Sequence, residues 1–248
     1  MSVVTSPSDP TAAAAASGPM HPLQPIRVNG GVELGLTVAI SGRTVAARRV
    51  ERDGYKLRTP NRADACEVAI INTGGGIAGG DRVTIAVDAG PGADAVVAAP
   101  QAERIYKAAS TAPATYAVRL RLAAHARLDW LPQETILFDG ARIVRTIDVD
   151  MDPTARIVIG ECVVFGRTAR DEAFASGRFS DRWRFHRSGA LVHAEAFDTD
   201  ALRDAGNLDS GRALLSARPA LGPACAFGTL VALGGNADDL LPAVRACL

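Results

Sequence analysis

Between residues 27 and 233 the sequence is cut into short apolar runs, rich in Val, Ile, Thr and Ala, by recurring Gly, Pro and Asp. Runs of roughly five to nine residues between such breakers have the spacing of strands and are too short for a packed helix. Residues 35–40, 68–71, 83–87, 95–99, 116–122, 143–149, 157–165, 182–186 and 191–196 are the clearest. No segment from 27 to 198 sustains apolar residues at i, i+3, i+4, i+7 over three turns. The pattern predicts an all-β protein, one large strand-rich domain of stacked sheets over residues 26–248, with a few short helices. One of these is expected near the C-terminus, where Asn236 or Asp238 can cap a run through Leu240, Leu241, Val244 and Leu248 and Pro242 limits its early turns. Residues 1–25, with five consecutive alanines and repeated Pro and Ser, are expected to form a disordered tail.

Charge removes several classes of partner. Lys plus Arg number 27 and Asp plus Glu number 27, so no net field draws in nucleic acid or an anionic membrane. No apolar run approaches the ~20 residues that cross a bilayer, and residues 1–20 lack a basic or Leu-rich export pattern. A soluble, cytoplasmic protein is expected. Cys66, Cys162, Cys225 and Cys247 are scattered without a CxxC, and His21, His125, His186 and His193 form no HxH or HExxH, so a closed soft-ligand metal cage has little to draw on.

The cluster Asn72-Thr73-Gly74-Gly75-Gly76-Ile77-Ala78-Gly79-Gly80-Asp81 contains a literal GxGxxG. That fingerprint needs a helix after the third glycine, and Asp81-Arg82-Val83-Thr84-Ile85-Ala86-Val87 alternates like a strand instead. The cluster therefore reads as a glycine-lined bend or close backbone approach. Asp81 shares parity with Val83, Ile85 and Val87 and so points inward, either capping loop amides or lining a polar interior. Glu161 stands in a run apolar on both faces, Ile157 to Phe165, which predicts a strand covered on both sides. A buried carboxylate there needs a partner: an arginine such as Arg145 or Arg167, or a wet channel holding a cation loosely. Glu134 and Asp139 could make an acid and base pair of the hydrolase kind, but a sugar site needs aromatics and the chain has two tryptophans. For residues 182–196 a hairpin turning at Ser188-Gly189 sets Arg184 against His193 and Arg182 against Glu195, with Trp183 and Phe185 on the core face beside Val192, Ala194 and Ala196. His186 and His193 then share the outer face, a surface or partner-facing position.

The strings Asn72 to Asp81, Gln101-Ala102-Glu103-Arg104-Ile105-Tyr106, Trp130-Leu131-Pro132-Gln133-Glu134-Thr135-Ile136-Leu137-Phe138-Asp139-Gly140-Ala141 and Glu161 to Gly166 together resemble the UreD family of urease accessory proteins, also called UreH. Ala78 departs from a position where a bulkier residue is common, and the Ala-rich tail has no counterpart in the pattern. The resemblance implies an all-β protein without catalytic activity that helps load nickel into apo-urease. Its implied partners are the urease apoprotein, UreF and, through UreF, the GTPase UreG. It implies no permanent cofactor, only nickel ion in transit through an internal polar tunnel. Asp81, Glu103, Glu134, Asp139 and Glu161 are the candidate tunnel-lining metal contacts, because oxygen ligands release nickel more readily than thiolates and imidazoles. The competing expectation is a structural adaptor between UreF and urease with no part in ion transit. The region after Asp198, with residues 213–220 and the terminal helix, is the expected docking surface.

Overall fold

The computed structural model describes residues 27–60, 66–200, 222, 224–235 and 237–246, without the side chains of 238–240. Fifteen strands among these residues make two stacked sheets. The strands are β1 Asn29–Val38, β2 Thr44–Arg52, β3 Tyr55–Arg58, β4 Cys66–Asn72, β5 Arg82–Ala89, β6 Asp94–Ala98, β7 Glu103–Ile105, β8 Ala114–Leu122, β9 Arg127–Leu131, β10 Thr135–Leu137, β11 Arg142–Met151, β12 Arg156–Phe165, β13 Arg178–Arg187, β14 Ala190–Asp198 and β15 Ala226–Leu233. A helix, α1, spans Ala237–Arg245 with Pro242 inside it and Leu241 and Val244 exposed, and a one-turn 3-10 helix covers Thr168–Arg170. The expected Asn236 cap, residues 213–220 and the N-terminal tail lie outside the described residues.

The first sheet runs β14-β13-β11-β8-β5-β1-β2, and the second runs β3-β4-β6-β9-β12-β10-β7 with β15 added beside β12. From β4 onward the chain alternates between the two sheets, so that neighbours such as β5 and β8, β8 and β11, or β6 and β9 are parallel. Parallel strands ordinarily need a helical crossover. Here the facing sheet serves as the crossover, and the chain coils like a solenoid. Three tight turns stack along one edge to make this work: the amides of Ala93, Ala126 and Ala155 bond back to Gly90, Ala123 and Asp152 at 3.0–3.1 Å. Each turn ends on a fully buried alanine, small enough to let the next turn lie directly on it.

Side chains that alternate inward fill the space between the sheets, so that Val83, Ile85 and Val87 of β5 belong to one core with Leu128, Ile157 and Ile159 of the other sheet. Two sequence expectations change. β12 is covered on its inner face only: Ile157, Ile159, Glu161, Val163 and Phe165 are buried, whereas Cys162 is exposed. The 182–196 hairpin forms and turns at Ser188-Gly189, both at positive φ. Its register, however, slips by one beyond a bulge, so that Phe185 faces His193, Arg184 faces Ala194 and Trp183 faces Glu195. The extra residue, Val192, leaves the ladder and is exposed together with Ala194 and Ala196. His193 and Glu195 thereby move to the inward side of the hairpin.

The glycine cluster is a bend of close approach. A Cβ on Gly76 would lie 2.5 Å from the Tyr106 ring and 2.7 Å from the Arg104 carbonyl, so only glycine lets the loop lie on β7. The Tyr106 hydroxyl donates back to the Gly75 carbonyl at 2.8 Å.

Candidate functional site

The second sheet is broken. β6 ends at Ala98 and β7 resumes at Glu103, while alongside them β9 ends at Leu131 and β10 resumes at Thr135. β12 passes both pairs without interruption, pairing with β9 through Ile159 and with β10 from Val163. Residues 160–162 consequently have no neighbour on that edge. Pro132, which has no amide to donate, sits in the gap. A cavity opens there and reaches between the sheets, with Gly75, Gln101 and Gln133 toward the surface and Glu103, Tyr116, Arg145 and Glu161 deeper in. It offers about 50 Å³ to water, and since one water needs about 10–15 Å³ by this measure it has room for a short file of them.

The deep end is a charged triad. Arg145 of β11 donates from Nη1 to Glu161 Oε2 of β12 at 2.7 Å. It also donates from Nε and Nη2 to the two carboxylate oxygens of Asp181 of β13, at 2.9 and 2.6 Å. Each carboxylate accepts one more bond, from an indole: Trp130 Nε1 to Glu161 at 2.8 Å and Trp183 Nε1 to Asp181 at 3.0 Å. All three charged residues are buried, and Arg145 is the one buried cation among the described residues. Burial pushes the Glu161 carboxyl up, with the Asp181 charge adding to it, against the pull of Arg145 and Trp130. Burial works against the Arg145 cation, yet the same two carboxylates outweigh it and raise the group, which stays charged.

Glu103 occupies the other wall. It accepts from the Tyr55 hydroxyl at 3.1 Å and the Asn72 amide at 2.8 Å. Burial pushes its carboxyl up, and these two donors only partly offset that. Tyr116 lies between the two groups, its ionisation suppressed by burial and then by the charges of Glu103 and Glu161, and its hydroxyl bonds to no described residue. A raised folded pKa stabilises below the unfolded carboxyl pKa and is lost as pH rises through the folded value. Glu103→Gln should therefore raise the melting temperature over wild type at pH 8 and show a smaller gain at pH 5. A pH-independent difference in thermal melts would contradict the buried-acid description.

Glu103 and Glu161 thus meet at one cavity, whereas the other three expected residues do not join them. Asp81 points inward and accepts from the amides of Val28 at 3.0 Å and Ala78 at 2.8 Å, closing the glycine loop. Asp139 accepts from the amides of Ala175 at 3.0 Å and Ser176 at 2.8 Å; burial opposes them, yet these bonds hold its carboxyl below the usual range. Glu134 is half-buried, and its charge acts on Cys162, whose thiol burial already pushes up. Among the described residues no three His, Cys, Asp or Glu side chains converge on a metal-sized site. The sequence reading did not single out Asp181, Tyr116 or Tyr55. Asp181 shares parity with the apolar Phe179, Trp183 and Phe185, which was the signal available for it.

The UreD urease accessory protein family profile matches residues 28–248. The urease accessory protein UreD of Rhizobium johnstonii is 45% identical over 206 residues, which cover 82% of this chain and 72% of the relative. The UreD of Rhodopseudomonas palustris is 40% identical over 220 residues, 88% of this chain and 76% of the relative. That of Methylobacterium sp. is 41% identical over 222 residues, 88% and 75%. Among the described residues no helix is long and apolar enough to cross a membrane. With the resemblance of its motifs carried through by identity over most of its length, the chain belongs to the UreD family of urease accessory proteins.

Proposed function

We propose that this chain acts in urease maturation without chemistry of its own, carrying nickel in transit through its interior while holding UreF, and UreG through UreF, near apo-urease. Nickel is cargo in this reading. The observation that supports it is the meeting of Glu103 and Glu161 at one cavity with room for water, where Arg104 stands at the exposed rim and Arg145, the one buried cation among the described residues, is shared between Glu161 and Asp181 behind it. Buried acids in excess of cations are costly unless they are protonated or meet a cation, and a passing divalent ion relieves that cost. Oxygen donors, a tyrosine hydroxyl and water bind nickel weakly enough to release it. Glu103 and Glu161 are the contacts within the cavity. The exposed Leu241 and Val244 on α1 suit a partner surface.

Glu161→Gln keeps the side chain's shape and an acceptor for Trp130 while removing charge. Co-expressed with urease and its other accessory proteins, the variant should still co-purify with them while the nickel content of urease falls severalfold. Normal nickel with intact assembly would leave the structural adaptor as the function. This alternative has an observation in its favour, since Arg145 occupies the very carboxylates an ion would use.

A further inference from the structure

The two acids of the triad open onto different spaces. Glu161 and Arg145 line the cavity at the sheet break. Asp181 lines a separate cleft of about 380 Å³ between the free edges of the two sheets, with Trp183, Glu195, Phe197, Phe227 and Thr229. The guanidinium of Arg145 links the two acids, bound to one through Nη1 and to the other through Nε and Nη2. An ion crossing from cavity to cleft needs the oxygens this fork holds, and it is also repelled by the fork's charge.

We propose that Arg145 is the gate between the two spaces: the passage is shut while the guanidinium spans Glu161 and Asp181, and opens when it lets go of one of them. This rests on the reading that nickel moves through the interior. The surroundings suit a reversible release. Each carboxylate keeps its own indole donor when the fork leaves, so neither is stripped of every partner. The Thr135 hydroxyl already accepts from Nη1 at 3.4 Å and remains as a contact when one acid is released. A lysine could not do the same, since a single ammonium lacks the planar fork that spans two acids.

The chain's only two tryptophans, Trp130 and Trp183, report on the two sides separately, because each donates its indole N–H to one of the acids. Full-length protein labelled with ¹⁵N at the indoles should show two side-chain signals, and added nickel(II) broadens whichever it approaches. In wild type one indole should broaden first, and the other only at a roughly tenfold or higher nickel concentration, the penalty of breaking a charge-assisted link. In Arg145→Lys the lag should collapse. Asp181→Asn, which keeps the arginine but loosens its cleft-side anchor, should shorten the lag too and serves if the lysine variant loses its dispersed spectrum. Simultaneous broadening in wild type, or a lag unchanged in the variants, overturns the gate and leaves interior transit standing. No broadening of either indole in any variant overturns both.

Discussion

Arg145→Ala should cost about 3–5 kcal/mol of folding stability at neutral pH, the usual result of stripping one partner from a buried ion pair. The cost is not the removed contacts alone. Glu161 and Asp181 both remain between the sheets, each with a single indole donor, and water reaches them only through a narrow cavity and a cleft. Their repulsion, previously bridged, is then uncompensated. The sign of the pH dependence follows from Glu161, whose carboxyl burial already pushes up. Removing the guanidinium raises it further, so the deficit is full at pH 8 and shrinks as the pH falls and the carboxyl takes up a proton. Urea titrations at pH 8 and pH 5 check this. An equal loss at both values would mean that packing around the arginine stem, and not its charge, is what the substitution removes. Adding Asp181→Asn to the alanine variant should recover part of the loss at pH 8, because one of the two orphaned charges disappears. The two substitutions touch one network and should be strongly non-additive.

This triad also marks where reading the sequence stops. The inward parity of Glu161 and its need for a partner were legible from a single strand, because alternation is a local property. Choosing between Arg145 and Arg167 was not, since it depends on which strand of one sheet lies opposite β12. The coil places β11 and β13 there, while Arg167 turns to Glu172 and packs over the Phe138 ring, 4.1 Å from its centroid. Strands β1, β4 to β6, β8 and β11 to β14 are legible in the sequence through their alternation, whereas β2, with Arg48, Arg49 and Arg52, the short β3, β7, β9 and β10, and β15 are not. β2 is an edge strand whose Arg48 and Arg52 pair with Glu33 on the outer face, so its charge conceals its pairing. The parallel order leaves its trace in the spacing of the buried turn alanines Ala93, Ala126 and Ala155, a repeat too short to stand out among so many alanines. The WLPQETILFDGA string proves to be structural in most of its parts: Trp130 holds Glu161, Pro132 keeps the sheet open, and Asp139 ties down a loop. Of its two acids, neither reaches the cavity.

The sheets are closed at the cleft end by aromatic packing, and Phe165→Ala should cost a further large amount, about 3–5 kcal/mol. Phe165, the last residue of β12, lies 5.6 Å from Phe174, 5.9 Å from Phe179, 6.0 Å from Phe227 and 6.1 Å from Phe197, ring centre to ring centre. Five of the chain's seven phenylalanines thus meet at one point, drawn from both sheets. Truncation there leaves a void that rigid neighbours on four sides cannot fill, which places the cost at the upper end for a core substitution. The loss should also be local in character. Among the described residues β15 has β12 as its one strand partner, and Phe227 is its anchor into the cluster. Hydrogen exchange should therefore accelerate at the β15 amides of the variant more than at those of β8 and β11, which sit inside the first sheet. Phe165→Leu, keeping most of the volume, should restore the greater part of both effects. Because Phe197 and Phe227 also wall the cleft beside Asp181, loosening them widens the space on that side of Arg145 without touching the triad itself. If Arg145 alone divides the two spaces, the lag between the tryptophan signals should survive in Phe165→Leu even where β15 exchanges faster; its collapse there would assign the barrier to the aromatic wall instead.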